Sequence, residues 1–353
     1  MSDSSQGRVS VIIPARNEAA NIARVVRSAA EQKHVAEIIV VDDESEDGTV
    51  EILEGLAGEM AGLRVLRAGP LPKGWTGKSH AIHAGASVAS GEWLLLTDAD
   101  TVHMPGSLET LLARAETEGV DLLSVSPGQE TPTWWEKAVI PLVYTQLARR
   151  FHFQEVSDPA SPAAAANGQY ILIRRATYLK AGGHAAVKGD ILEDVALARR
   201  VKRMGGKLLF FPGAPWVRTR MYRTFGEMWR GWTKNLFLLY ERRLDRLLAT
   251  AAALWLLDVV APVALVALSI GVAAGRGGGA AVFAATGCFL VALVRQGQYG
   301  HALARIGFEP RLANYQIPGA TLVAVLLLNS ARAHLWGGKV HWKGRDYSTK
   351  DLA

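Results

Sequence analysis

The chain has 353 residues, 49% of them hydrophobic and 20% charged, which is longer than one average domain of roughly 100–200 residues requires. Its 39 basic and 33 acidic residues leave a net charge of +6, which favours anionic surfaces without choosing among them. A single cysteine, Cys288, excludes an internal disulfide and a cysteine-built zinc site.

Residues 1–8 are polar, and the apolar run Val9 to Ile13 is far shorter than a signal-peptide core, so it reads as a first strand and places the N-terminal domain in the cytoplasm. Strands and helices then alternate. VSVIIP (9–14) is a strand, and Asn17 to Gln32 is a helix with Ile22, Val25, Val26 and Ala29 at helical spacing. EIIVVDD (37–43) is a strand, Gly48 to Gly58 a helix and LRVLRAG (63–69) a third strand. A Gly/Pro loop leads to a helix from Lys78 to Ala89, and GEWLLLTDAD (91–100) is the fourth strand. Such alternation implies βαβ units and a mainly parallel sheet covered on both faces. Ligands of these sheets sit beyond the carboxyl ends of the strands, where Asp42, Asp43, Asp98 and Asp100 fall. Residues 153–167, rich in Pro, Ser and Ala, read as a mobile loop, and QYILIRR (169–175) as a further strand.

From Trp216 the character changes. Residues 216–246 interleave Arg218, Arg220, Arg223, Arg230, Lys234 and Arg242 with Trp216, Tyr222, Trp229 and Trp232, as a helix in a lipid headgroup layer does. Leu248 to Gly275 carries one charge, Asp258, and is long enough to cross a bilayer. Ala280 to Val294 and Ile317 to Ala331 are shorter and span only with their polar flanks. Three spans would put Lys339, Lys343, Arg345 and Lys350 outside; two spans with the third stretch re-entrant keep that basic tail inside, the arrangement the positive-inside rule favours. The expected organisation is a cytosolic α/β domain over 1–215, a basic-aromatic interfacial segment over 216–247, membrane helices over 248–336 and a basic tail over 337–353. WWEKAVIPLVY (134–144) is apolar enough to dip into the membrane beside them.

Several clusters carry chemistry. Asp98-Ala99-Asp100 ends an apolar strand; two such carboxylates are either solvated turn residues or a shared seat for a hard divalent ion that also holds a diphosphate. Asp47 in VDDESEDGT (41–49) reads as a helix cap, and Asp43 either closes a strand or accepts from a nucleobase. LPKGWTGKSHA (71–81) lacks the first glycine of a P-loop, position 72 being Pro, but Lys78 can neutralise a phosphate as a point charge. Glu193 and Asp194 open an amphipathic helix; acids there suit the helix dipole, and Asp194 can equally act as a general base on an acceptor hydroxyl.

In order along the chain, PARNE (14–18), VVDDESEDGT (40–49), the Lys78 to Gly85 stretch, LTDAD (96–100) and LEDVALARRVKRMG (192–205) resemble glycosyltransferase family 2, inverting enzymes of the GT-A fold. LPKGWTGK, NGQYILIRRATY with GGH (167–184), and HWKGRDY (341–347) point within it to bacterial lipid-directed members, the hopanoid-associated and carotenoid glycosyltransferases. The resemblance implies a nucleotide-sugar site containing Pro14, Glu18, Asp43, Lys78, Asp98 and Glu193, with Glu18 and Asp43 on the nucleoside, a uridine. It implies Mg2+ or Mn2+ on Asp98 and Asp100, and Asp194 as the base for in-line displacement with inversion. Membrane-bound relatives carry a Q/R-x-x-R-W motif; here EMWRGW (227–232) keeps Arg230 and Trp232 as donor or acceptor contacts but separates them by Gly231, which argues against a processive polymer synthase.

The implied activity is transfer of one sugar from a UDP-sugar to the hydroxyl of a lipid, hopanoid or carotenoid, at the cytoplasmic face of the inner membrane, by a multi-pass protein with no nucleic-acid partner. The alternatives are transfer to a polyprenyl phosphate, which needs no general base, and a non-catalytic membrane scaffold.

Overall fold

The computed structural model describes residues 8–348, so Lys350 of the basic tail lies outside the described residues. In chain order the elements are β1 (Val9–Ala15), α1 (Ile22–Ala30), β2 (Val35–Asp42), α2 (Thr49–Glu59), β3 (Leu63–Arg67), α3 (Gly77–Val88), β4 (Trp93–Leu96), β5 (Thr101–His103), α4 (Ser107–Thr117), β6 (Leu122–Ser126) and β7 (Gly128–Gln129). They continue with α5 (Trp134–Arg150), α6 (Phe153–Ser157), β8 (Ile171–Arg174), α7 (Arg175–Lys180), α8 (Glu193–Arg203), β9 (Leu208–Pro212) and β10 (Val217–Thr219). Last come α9 (Phe225–Leu239), α10 (Leu244–Trp255), α11 (Ala261–Ala273), α12 (Gly279–Arg305), α13 (Gln316–Trp336) and the hairpin β11 (Lys339–Trp342) to β12 (Arg345–Ser348).

The chain divides into two compact units. The first takes 8–130 with Phe151–Met221, the second Thr131–Arg150 with the residues from Tyr222 onward. The apolar stretch 134–144 therefore folds with the C-terminal helices, as α5.

The first unit holds a seven-stranded sheet of order β3-β2-β1-β4-β8-β6-β9. Its strands are parallel except β8, which runs antiparallel to both β4 and β6. Period-2 alternation sorts the apolar side chains between two faces. Val9, Val11, Ile13, Trp93 and Leu95 join the core under α1, α2 and α4, while Ile12, Leu94 and Leu96 join the core under α3 and α8. Burial on both faces is why these strands read as unbroken apolar runs. Pro14 lies past Ile12↔Leu96, the last β1–β4 pair, so its missing N–H falls where that ladder has ended.

Three boundaries differ from the sequence reading. The helix expected from Asn17 starts at Ile22, because residues 17–19 are a loop with Asn17 in the left-handed region (φ 52). That loop is tied down by Asn17 N–H to Ser45 Oγ (3.0 Å), Glu18 N–H to Thr49 Oγ1 (2.8 Å) and Ala19 N–H to Asp47 Oδ2 (3.1 Å). The strand expected over 91–100 is β4 alone, followed by a turn carrying Asp98 and Asp100 and then β5, which belongs to a separate three-stranded sheet. The segment 153–167, expected to be a mobile loop, begins with α6 and buries Val156 and Ala164 to Ala166. Lys202 Nζ, donating to Val156 O (2.8 Å) and also to Glu155 O and Ala163 O, pins it.

In the second unit α13 packs against α5, α9 and α10. Gly319 sits against the Ala138 carbonyl, an approach that leaves no space for a Cβ. Ser330 Oγ enters the ladder of α9, accepting the Phe237 N–H (2.9 Å) and donating to Thr233 O (2.6 Å), so one helical bond is relayed through a neighbouring helix. Three long apolar helical stretches are candidate membrane spans: Leu244–Ala273, Gly279–Arg305 and Pro310–Trp336.

Candidate active site

The sheet topology gathers the site. Ala15↔Asp42 ends the β1–β2 pairing, so Glu18 and Asp43 follow directly at the carboxyl edge. Asp98 stands two residues past the end of β4 at the same edge. Because β8 is antiparallel, with Leu96↔Ile171, its preceding residues 167–170 arrive there too. The opening of α8 then brings Glu193 and Asp194 against them.

Lys78, in the first turn of α3, is the centre of the cluster. Its Nζ lies 2.6 Å from Asp98 Oδ1 and 2.8 Å from Glu193 Oε1. Burial by itself pushes the Lys78 ammonium down; Asp98, Glu193 and Asp194 outweigh it and hold the lysine well above its usual range. Thr76 caps the helix, accepting the Ser79 N–H at 3.3 Å.

Asp194 accepts two backbone N–H groups, Gly168 at its Oδ2 (2.8 Å) and Val195 at its Oδ1 (2.7 Å). Its carboxyl is nonetheless pushed up to about 7, by burial first and by Glu193 second, with Lys78 opposing. A buried carboxyl in that range suits proton transfer at neutral pH. A side chain on Gly168 would have to displace the lysine, since a Cβ there would stand 2.8 Å from Lys78 Nζ and 3.4 Å from Asp194 Oδ2.

Beneath the cluster, His184 is buried against Tyr178, whose hydroxyl lies 3.1 Å from the His184 Nδ1 and accepts the His184 N–H. Burial, Lys78 and His83 push His184 down to about 3, so it is a neutral packing residue. Its glycines fit the same contact, with φ 81 at Gly182 and φ 50 at Gly183, where the Tyr178 ring fills the place of a Cβ.

Of the remaining expected residues, Asp43 and Glu18 lie at the same edge. The Asp43 carbonyl accepts from Arg16 and its N–H donates to Ala15 O (2.8 Å), while the side chain is buried. Glu18 Oε2 accepts from Asn21 Nδ2 (2.8 Å). Asp47, read from sequence as a helix cap, stands one residue before the N-cap of α2, which is Gly48 with no side-chain cap; its Oδ1 accepts the Thr49 N–H (3.2 Å) and its Oδ2 the Ala19 N–H (3.1 Å). Among the described residues no group of three His, Cys, Asp or Glu side chains is placed to hold a metal ion. Asp98 and Asp100 offer two carboxylates and no nitrogen or sulfur donor, a donor set suited to a hard cation that completes its shell with phosphate and water oxygens.

A family model described as glycosyl transferase family 2 matches residues 10–177. Residues 10–177 thus form a glycosyltransferase family 2 domain. Over 347 residues it is 27% identical to a 4,4'-diaponeurosporenoate glycosyltransferase of Staphylococcus aureus, covering 96% of this chain and 88% of that one. Its identity to the enzyme of the same description from Staphylococcus haemolyticus is 29% over 241 residues, 65% of this chain and 60% of that one. The mannosyltransferase PcManGT from Pyrobaculum calidifontis, solved with GDP-Man and Mn2+, superposes with a TM-score of 0.57 at 20% identity over 94% of this chain and 88% of its own. The fold is GT-A.

Two family 2 features look different in three dimensions. NGQ (167–169), read from sequence as a mark of the branch without a role, supplies the Gly168 N–H to Asp194 and is knitted in by Ser124, Asn167 and Thr97; only the antiparallel course of β8 reveals this. Within the second unit, Trp232 is buried edge-on to Tyr144 and Tyr222, and the Tyr222 ring fills the space of a Cβ at Gly231. The inserted glycine of EMWRGW is thus a packing requirement. Arg230 is exposed on α9.

Proposed function

We propose that this family 2 enzyme moves one sugar, with inversion, from a UDP-sugar to a hydroxyl of a membrane lipid, working at the cytoplasmic face of the inner membrane. The observation that carries this reading is the Lys78, Asp98, Glu193 and Asp194 cluster. A lysine in contact with the first carboxylate of the Asp98-Ala99-Asp100 turn is a point charge for the leaving diphosphate. Beside it, at the start of α8, a carboxyl raised to about 7 has the affinity to take the acceptor's proton.

Asp194 removes that proton as the acceptor oxygen attacks the anomeric carbon and the bond to the diphosphate breaks on the opposite side. The backbone N–H groups of Gly168 and Val195 fix the orientation of its carboxylate. Asp98 and Asp100 would hold Mg2+ or Mn2+, which would supply charge neutralisation for the diphosphate. Glu18 and Asp43, with Pro14 near the end of β1 before them, face the nucleoside, and Glu193 keeps Lys78 aimed at the phosphates. Arg230 on α9 is assigned to diphosphate or acceptor contact, and Trp232 supports the same helix. The catalytic part is 1–215, the interfacial segment 216–247, the membrane part 248–336 and the tail 337–353.

The acceptor class follows from the relatives: likeness over nearly the whole chain to diaponeurosporenoate glycosyltransferases supports a carotenoid-type lipid in preference to a hopanoid. The test is transfer by membranes containing the protein, supplied with radiolabelled nucleotide sugars, Mg2+ or Mn2+ and a carotenoid acceptor. Label from one donor entering the organic phase, lost with EDTA and in Asp194→Asn, is the expected result. Equal transfer by Asp194→Asn would overturn the base assignment and turn attention to an acceptor already ionised, such as a polyprenyl phosphate.

A further inference from the structure

The C-terminal helices change character at one layer. Within Leu244–Ala273 only 6% of the most apolar window is buried, and within Gly279–Arg305 none is, whereas half of the Pro310–Trp336 window is buried inside its unit. The change is local. Leu247, Ala251 and Leu254 of α10 are buried, and α10 packs on α13; α11 buries no residue at all. Val263, Val266, Ile270, Val282, Phe283 and Leu293 are exposed around α11 and the first half of α12. α11 packs on α12, and a pair of helices whose outward faces are apolar and meet no further element is solvated by hydrocarbon.

At the boundary between these regimes stands a polar knot. Asp258 occupies a π-helical turn, Leu256–Val260, that interrupts the α10–α11 stretch. Arg295 Nε and Nη2 donate to Asp258 Oδ1 and Oδ2, both at 2.7 Å, and Gln316 Nε2 donates to Oδ1 at 2.9 Å. Tyr299, one turn beyond Arg295, is buried on the same stretch, and Trp255, one turn before Asp258, is exposed. Ionised side chains at the centre of hydrocarbon are costly, and an exposed Trp belongs at the headgroup level.

We infer that this knot marks one surface of the bilayer, and that the protein crosses it twice, as a single hairpin of residues 259–294, with Pro310–Trp336 remaining on the near side. This rests on the membrane-anchored reading above. Each leg has roughly 16 residues, about 24 Å at 1.5 Å per residue. That is short of a ~30 Å hydrocarbon core and is met by local thinning and by snorkelling flanks. Gln316 contacting Asp258 fixes the start of α13 at the knot, and α13 then runs back along α10 towards α9. The charges agree: the far side receives Arg276 alone, and the near side Arg242, Arg243, Arg246, Arg305, Arg311, Lys343 and Arg345. Three crossings would instead send Lys343 and Arg345 across with Arg276.

The experiment uses the full chain with Cys288→Ser as background and one new cysteine at a time, Gly278→Cys, Glu309→Cys or Lys343→Cys, labelled by a membrane-impermeant maleimide. Gly278 has open space for a side chain and Glu309 is exposed. In sealed right-side-out vesicles Gly278→Cys is expected to label at least ten times faster than the other two, with the order reversed in inside-out vesicles. Lys343→Cys labelling together with Gly278→Cys would overturn the inference in favour of three crossings. Gly278→Cys labelling together with Glu309→Cys would overturn it in favour of a hairpin that enters and leaves on one side. Release of the protein by alkaline carbonate would overturn it along with the anchored reading beneath it.

Discussion

The backbone N–H of Gly168 donates to Asp194 Oδ2 at 2.8 Å, while the position a Cβ would take on Gly168 lies 2.8 Å from Lys78 Nζ. One residue without a side chain thus orients the carboxylate and leaves space for the cation beside it. Gly168→Ala is expected to displace the end of a flexible lysine and not the backbone, so stability changes by about 1 kcal/mol or less. Transfer falls by roughly 10- to 100-fold, because Lys78 must leave Asp98 or Glu193. Thermal melting beside kcat on the same preparation checks both halves; equal loss of stability and activity would count against the proposed role.

Asp194 also sets a pH signature. Its folded-state pKa, about 7, lies above the ordinary aspartate value, so the folded chain holds a proton that the unfolded chain has released. Stability is therefore expected to fall as pH rises from about 4 to 7 and to level off above that. Activity runs the other way, rising through pH 7 as the base becomes available. Asp194→Asn should flatten the stability profile, raise Tm at pH 8 and abolish transfer. Differential scanning fluorimetry across pH 4–9 decides the first two.

Removing the cation strands three carboxylates. Lys78→Met leaves Asp98, Glu193 and Asp194 facing one another across a partly buried site, and an uncompensated buried charge costs several kcal/mol. With Lys78 partly exposed, the expected loss is about 2 kcal/mol at pH 8, smaller at pH 5 where Asp194 is protonated. Lys78→Arg keeps the charge but not the compact ammonium and is expected to rescue stability more than kcat. Denaturant melts at the two pH values distinguish this from a simple packing defect.

Much of this was legible in the sequence, and the parts that were not share a physical cause. The alternation of Val, Ile and Leu runs with helical spacing placed β1, β2, β3 and α3 within a few residues, because buried parallel strands leave an unmistakable apolar run. Asp98, Glu193 and Asp194 could be picked out by their places at element ends. Asn17 could not be taken out of its helix by periodicity, because what stops the helix is a set of contacts to Ser45, Asp47 and Thr49, about 30 residues away. Gly168 was missed for the same reason: its partner is 26 residues on, and only the antiparallel entry of β8 brings the two together. The π turn at Asp258 lies inside an apolar run whose composition says span throughout; the change from packed to bare surface is a tertiary fact.

The Asp258 knot gives the last prediction. Asp258 binds Arg295 through two parallel hydrogen bonds and Gln316 through a third, so removing either partner of the ion pair leaves a charge with no counterpart in a dry layer. Asp258→Leu is expected to cost about 3 kcal/mol or more, because Arg295 keeps its charge. Arg295→Met is expected to cost a similar amount. The double variant Asp258→Leu with Arg295→Met removes both charges together, and apolar replacement of a buried pair is often close to neutral. It should therefore recover at least half of the loss, a coupling of about 2 kcal/mol read from melting in detergent micelles. Additive losses in the double variant would mean that the two side chains stabilise the protein through separate partners, and that the layer between α10 and α11 is held by Gln316 and packing instead.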